Sequence, residues 1–121
     1  MQKLAKREAQ IMQILWQLER AFVKEIIAAM PDDPKPHYNT VSTIIKILED
    51  KGFVAHETLG NSHRYYPVVA KEDYQQKAVS DLLGNYFENS PMKLVSYFAR
   101  KQKLDPQELE DLIRKIKNPD A

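Results

Sequence analysis

Three histidines, the acid pairs Asp32-Asp33 and Glu49-Asp50 and one cluster of short hydroxyl and amide side chains are the first places to look for chemistry in this sequence. Catalysis makes poor use of them. His37, His56 and His63 are not spaced as H-E-x-x-H or as another familiar pair of metal ligands, and the 3 glycines supply no phosphate-cradling loop. Asp32-Asp33 falls in a proline-rich turn and Glu49-Asp50 at a helix end, where solvated carboxylates are ordinary. No nucleophile stands beside a base, and a chain without cysteine has neither thiolate chemistry nor disulfides. No catalytic residue, metal site or cofactor is expected.

Reading of double-stranded DNA uses the remaining cluster better. The Asn39 amide suits an adenine edge, the hydroxyls of Thr40, Ser42 and Thr43 suit phosphates, a threonine suits a thymine methyl, and Lys46 suits a guanine or the backbone. Any one of these residues is ordinarily just solvated. As a set they lie opposite Val41, Ile44, Ile45 and Leu48, which fall at i, i+3, i+4 and i+7 and form one apolar helical stripe. Asn39 has a second reading as a helix cap. Further along, Asn61 and Ser62 stand at a hairpin tip, and Arg64 follows them. Arg64 would meet phosphates or a minor groove, or else simply pair with Glu57. His56 and His63 read as a solvent-facing cross-strand pair rather than as metal ligands.

The elements that hold these residues follow from local patterns. Ile11, Ile14, Leu15 and Leu18 predict a helix over about residues 6–18, with Met12 and Trp16 flanking its stripe. A second helix is expected from Ala21 to Met30, although Phe22-Val23 also suits a short strand paired with the hairpin. Pro31 to Pro36 cannot continue a helix and forms the turn. The helix from Asn39 to Lys51 ends at Gly52, and Phe53–Thr58 and His63–Val68 read as two strands around Leu59-Gly60-Asn61-Ser62. The expected fold is mainly α with a small β-hairpin, a winged helix-turn-helix over residues 1–70 followed by a helical dimerisation region over residues 71–121.

That second region reads as three helices: Ala70 to Phe87, Met92 to Lys101, and one opened by Asp105-Pro106-Gln107-Glu108. Gly84 in the first marks a bend or a close contact. Leu82, Leu83, Leu94, Val95, Phe98, Leu109, Leu112, Ile113 and Ile116 give this segment more apolar surface than it can easily hide, and a second copy of the chain is the expected cover. Packing back on the winged helix is the plainer alternative.

Composition sets the outer bounds. With 43% hydrophobic and 29% charged residues among 121, the chain is an ordinary globular protein. It has no apolar run of the roughly 20 residues that a membrane span needs. Residues Met1 to Glu8 lack the apolar core of a secretory signal, so a cytoplasmic location without a membrane partner is expected. The net charge of +1 argues for no polyanion by itself. Lys35, His37, Lys46, Lys51, His63 and Arg64 nevertheless gather around the proposed reading helix and hairpin, and a dimer doubles their contacts.

Over nearly its whole length the sequence resembles the penicillinase-repressor (BlaI/MecI/CopY) family. The resemblance is carried by Glu8-Ala9-Gln10-Ile11-Met12 with Leu15-Trp16, by Asn39-Thr40-Val41-Ser42-Thr43-Ile44 through Lys51-Gly52-Phe53, by Arg64-Tyr65-Tyr66-Pro67, and by Leu94-Val95-Ser96-Tyr97-Phe98. It implies a dimeric winged-helix repressor whose recognition helix occupies operator DNA and whose C-terminal helices dimerise. In the beta-lactam-responsive members a membrane sensor protease triggers cleavage of an asparagine–phenylalanine bond in those helices; the matching pair here is Tyr97-Phe98. The copper-responsive branch uses a cysteine cluster that this chain lacks, and the resistance-type repressors carry arginine where Ile47 stands. The resulting expectation is a cytoplasmic, sequence-specific repressor that binds a pseudo-palindromic operator as a homodimer, with proteolysis or loosening of the C-terminal helices as its release. A winged-helix protein-interaction module without sequence-specific DNA binding is the alternative.

Overall fold

The computed structural model describes residues 3–101 and 105–117. Its first helix, α1 (Lys6–Leu18), opens without a serine, threonine or aspartate cap. Glu8 instead turns back, and its Oε1 accepts the Ala5 amide at 2.7 Å, satisfying a donor that the helix cannot. Glu25 does the same for α2 (Val23–Ala29), accepting the Phe22 amide at 2.8 Å. Between them lies β1 (Ala21–Phe22), a strand one residue earlier than the expected Phe22-Val23, and the helix runs from Val23 to Ala29 rather than from Ala21 to Met30.

The proline-rich turn leads into α3 (Tyr38–Asp50), which ends at Gly52 with φ of 84°. The strands β2 (Val54–Leu59) and β3 (Ser62–Pro67) are antiparallel, with Leu59 opposite Ser62. The connection is therefore the two residues Gly60-Asn61, and Gly60 takes the left-handed φ of 63° that a tight hairpin demands. β1 pairs with β3, giving a three-stranded sheet in the order β1-β3-β2 where sequence patterns offer a hairpin and an optional strand.

The core lies where the stripes of α1, α2 and α3 meet the sheet. Ile11, Leu15, Ile26, Val41, Ile45 and Leu48 are completely buried, as is Met12, which belongs to the core rather than beside it. Each such side chain contributes about 1.5–3 kcal/mol by leaving water. Phe53 seals the base of the sheet. Trp16 donates its indole N–H to the Val69 carbonyl at 2.9 Å, and Tyr74 packs against both Trp16 and Phe53 with ring centroids 5.9 Å apart. Through Tyr74 the start of α4 (Lys71–Tyr86) joins the winged helix, and the first compact unit runs from Met1 to Ala78.

An ion pair ties α1 to the end of α3. Lys51, at the C-cap of α3, donates to both carboxylate oxygens of Glu8 at 2.9 and 3.0 Å, and Glu8 is buried. Burial pushes the Glu8 carboxyl up, but the Ala5 amide and the Lys51 ammonium together outweigh it and hold Glu8 below the usual carboxylate range.

The second unit, Val79–Ala121, contains the rest of α4, then α5 (Pro91–Lys101) and α6 (Pro106–Lys117). The turn after α4 accounts for Gly84. Glu88 and Asn89 both adopt left-handed φ, the Asn89 amide donates to the Leu83 carbonyl at 2.9 Å, and a Cβ on Gly84 would stand 3.1 Å from Asn89 Oδ1. Asp105 opens α6 by accepting the Gln107 amide at 2.8 Å. Among the described residues of this unit none is buried.

Candidate nucleic-acid interface

Helix α3 has two unlike faces. Val41, Ile45 and Leu48 are sunk in the core, while Asn39, Thr40, Thr43 and Lys46 are exposed and Ser42 is half-buried. The spacing that buries the first set turns the second outward, because residues three or four apart share a face. His37 holds the N-cap position, with extended backbone and no side-chain cap bond, so Asn39 sits in the first turn and does not act as the cap. The Thr43 hydroxyl donates to the Asn39 carbonyl at 2.8 Å, which leaves its methyl and lone pairs for a partner. Ile47 is 41% exposed, adding an apolar contact to the polar face rather than packing beneath the sheet. Among the described residues Lys46 makes no ion pair and reaches open solvent.

The hairpin is differently arranged. Asn61 and Ser62 are exposed at its tip. Arg64 stands directly opposite Glu57, with Nε 2.6 Å and a terminal nitrogen 2.5 Å from Glu57 Oε1. Arg20 joins the same oxygen at 3.2 Å while its guanidinium lies 4.9 Å over the Tyr66 ring. The Arg64 hydrogen bond is the main reason that Glu57 titrates below its ordinary range. Of the two readings of Arg64, the pairing with Glu57 is the one present.

A family model described as penicillinase repressor matches residues 4–118. The chain belongs to the penicillinase repressor family. Among its relatives is the methicillin resistance regulatory protein MecI of Staphylococcus aureus strain N315, 26% identical over 110 residues that cover 91% of this chain and 89% of that protein. The penicillinase repressor of Staphylococcus aureus is 22% identical over 110 residues, covering 91% and 87%. A solved structure titled "CopR Repressor Structure" has 28% identity and a TM-score of 0.47, covering 56% of this chain and 99% of that one. The family is one of DNA-binding transcriptional repressors, as the sequence resemblance implied.

Within this repressor-family chain the basic residues divide sharply. Lys51 is turned inward to Glu8, Arg64 is held by Glu57, and Lys35 donates to the carbonyls of Ala28 and Met30. Each of these three thus has a protein partner in the DNA-free chain, which clustering in sequence does not disclose. His56 and His63 lie diagonally, since His56 opposes Tyr65 and His63 opposes Thr58, with ring centroids 4.2 Å apart. His56 Nδ1 is 2.6 Å from Glu49 Oε2 and half-buried, whereas His63 is exposed beside the Thr58 hydroxyl at 3.3 Å. Only His63 matches the solvent-facing expectation. No group of three or more His, Asp or Glu side chains is placed to hold a metal ion among the described residues. Among those residues, too, no helix is long and apolar enough to cross a membrane.

Two exposed residues near this surface escaped the sequence reading. Tyr38 is the first residue of α3 and is 51% exposed, and Lys24 is the exposed second residue of α2. A tyrosine at the outer start of a helix that needs no aromatic for its core was the available signal for the first. Lys24 carried none, because a lysine on a helix surface is usual.

Proposed function

We propose that this protein is a sequence-specific repressor that binds a pseudo-palindromic operator as a homodimer, with α3 lying in the major groove. Asn39, Thr40, Thr43 and Lys46 read base edges or adjoining phosphates, Ser42 supports them, and Asn61 and Ser62 approach the backbone from the hairpin tip. The observation that carries this reading is the open polar face of α3 backed by the buried Val41, Ile45 and Leu48, with Ile44 half-buried beside them. Residues 71–121 join two copies through Leu82, Leu83, Leu94, Val95, Phe98, Leu109, Leu112, Ile113 and Ile116. Two such readers occupy half-sites related by the same two-fold, about 34 Å or a multiple of it apart.

Repression then depends on the tail. Linking two half-site readers raises the effective concentration of the second once the first is bound, so parting the C-terminal helices releases the DNA without touching α3. Cleavage at Tyr97-Phe98 by a regulatory protease in the cytoplasm would break this interface.

The test is titration of the full-length chain onto duplex DNA from upstream of its own gene at several salt concentrations, beside Thr43→Ala, Lys46→Ala. The repressor reading expects log affinity to fall steeply with log salt and the double variant to lose preference for that duplex over an unrelated one. Affinity indifferent to both would move the assignment to a protein-interaction module.

A further inference from the structure

Pairing of β1 with β3 places Phe22 opposite Arg64, so Ser62 and His63 overhang the short strand and stand against the start of α2. The result is a cleft of about 360 Å³ whose floor is Phe22 and Val23 and whose rim carries Lys24, Tyr38, Ser62 and His63. All four rim residues are exposed. Among the described residues the side chains of Lys24, Tyr38 and Ser62 have no hydrogen-bond partner, and His63 uses one ring nitrogen on Thr58, leaving the other unused. The cleft is thus where uncommitted donors converge, in contrast to Arg20 and Arg64, which already share Glu57. Glu25 also lines it, with its Oε1 accepting the Phe22 amide at 2.8 Å.

We infer that this cleft seats one phosphodiester of the DNA backbone. An ammonium, two hydroxyls and an imidazole N–H suit an anion with two non-bridging oxygens, each able to accept more than one hydrogen bond. The apolar floor suits the C–H edge of the adjoining sugar. Tyr38 directly precedes Asn39, so a phosphate held here fixes the register in which the polar face of α3 meets the bases. The inference rests on the DNA-binding reading and makes it specific: the backbone is held by Lys24, Tyr38, Ser62 and His63, and not by Arg64.

The experiment compares full-length wild type with Tyr38→Phe, His63→Gln, Lys24→Ala and Arg64→Ala on operator and unrelated duplexes. Ethylation of single phosphates reports which of them matters. Wild-type binding should be blocked by ethylation of one phosphate per half-site, and Tyr38→Phe should lose less to that same ethylation than wild type does. Tyr38→Phe and His63→Gln should each weaken both duplexes about 3- to 10-fold with the preference between them unchanged, since phosphate contacts carry no sequence information. Lys24→Ala should reduce the salt slope by about 1. Full affinity in Tyr38→Phe and His63→Gln, with a reduced slope in Arg64→Ala, would overturn the assignment in favour of the outer face of the hairpin. So would NMR shifts at Tyr38 and His63 with sodium phosphate, against sodium chloride of equal ionic strength, in a protein whose DNA binding ignores both variants; that result would make the cleft a site for a free phosphate. Wild type that fails to bind duplex at all defeats the repressor reading itself, and is distinguished by Thr43→Ala, Lys46→Ala having nothing to lose.

Discussion

Helices α3 and α6 carry the same apolar spacing, yet one is finished by its own chain and the other is not. Val41, Ile45 and Leu48 of α3 are completely buried, whereas Leu112, Ile113 and Ile116 of α6 remain 45–69% exposed. The difference lies in what each stripe can meet. In the unit from Met1 to Ala78, three helices and a twisted sheet close around one centre, and Phe53, Trp16 and Tyr74 seal its base. In the unit from Val79 to Ala121, three short helices have no sheet beneath them and bury nothing completely among the described residues. Periodicity says that a face must be covered; it does not say whether the cover is intramolecular. On the proposed reading, the first unit is a finished reader and the second is half of an interface.

The largest effects should separate the two units by their concentration dependence. Ile45→Ala or Leu48→Ala should cost about 2–5 kcal/mol in chemical denaturation, whatever the protein concentration, because a cavity opens in a closed core. Ile113→Ala should instead lower the melting temperature mainly in dilute protein, where lost subunit association is felt through mass action. Equal concentration dependence in the two variants would erase the distinction between a finished and an unfinished unit.

A smaller effect belongs to the ion pair that ties α1 to the end of α3. Lys51→Met should destabilise the first unit by roughly 1–3 kcal/mol, since it leaves a buried carboxylate with only the Ala5 amide. Glu8 titrates lower in the folded chain than in the unfolded one, so its contribution is complete above the unfolded value of about 4.3 and disappears as pH falls through the lower folded value. Acid should therefore narrow the stability gap between wild type and Glu8→Gln, a trend readable from urea midpoints between neutral pH and pH about 3.

The smallest effect is expected on the hairpin. Arg64→Ala removes one of two arginines that share a half-exposed Glu57, and should change the salt slope of operator binding less than Lys46→Ala does. A larger change from Arg64→Ala would mean that its bond to Glu57 gives way to DNA.

Much of this was legible in advance, and the exceptions share a cause. The stripes of α1 and α3 and the Gly60-Asn61 turn are local patterns, and each element stands within a residue or two of where its pattern placed it. The outward set on α3 came with the stripe, as its geometric complement. What the chain did not disclose was direction over distance. Lys51 looked like a cation for DNA because its partner, Glu8, lies 43 residues away. Strand β1 has two residues, too few for any period, and exists because β3 offers it a ladder. The cleft under His63 depends on that ladder, so neither Lys24 nor Tyr38 announced itself. Met12 was placed beside the stripe of α1 because a single helix shows one face, while its neighbours in the fold close over two.

Sedimentation equilibrium of the full-length chain beside a fragment of residues 1–78 tests the division of labour most directly. The account predicts a dimer for the full chain and a folded monomer for the fragment, which retains Tyr74 and hence its sealed base. A fragment that dimerises as tightly as the full chain would contradict it.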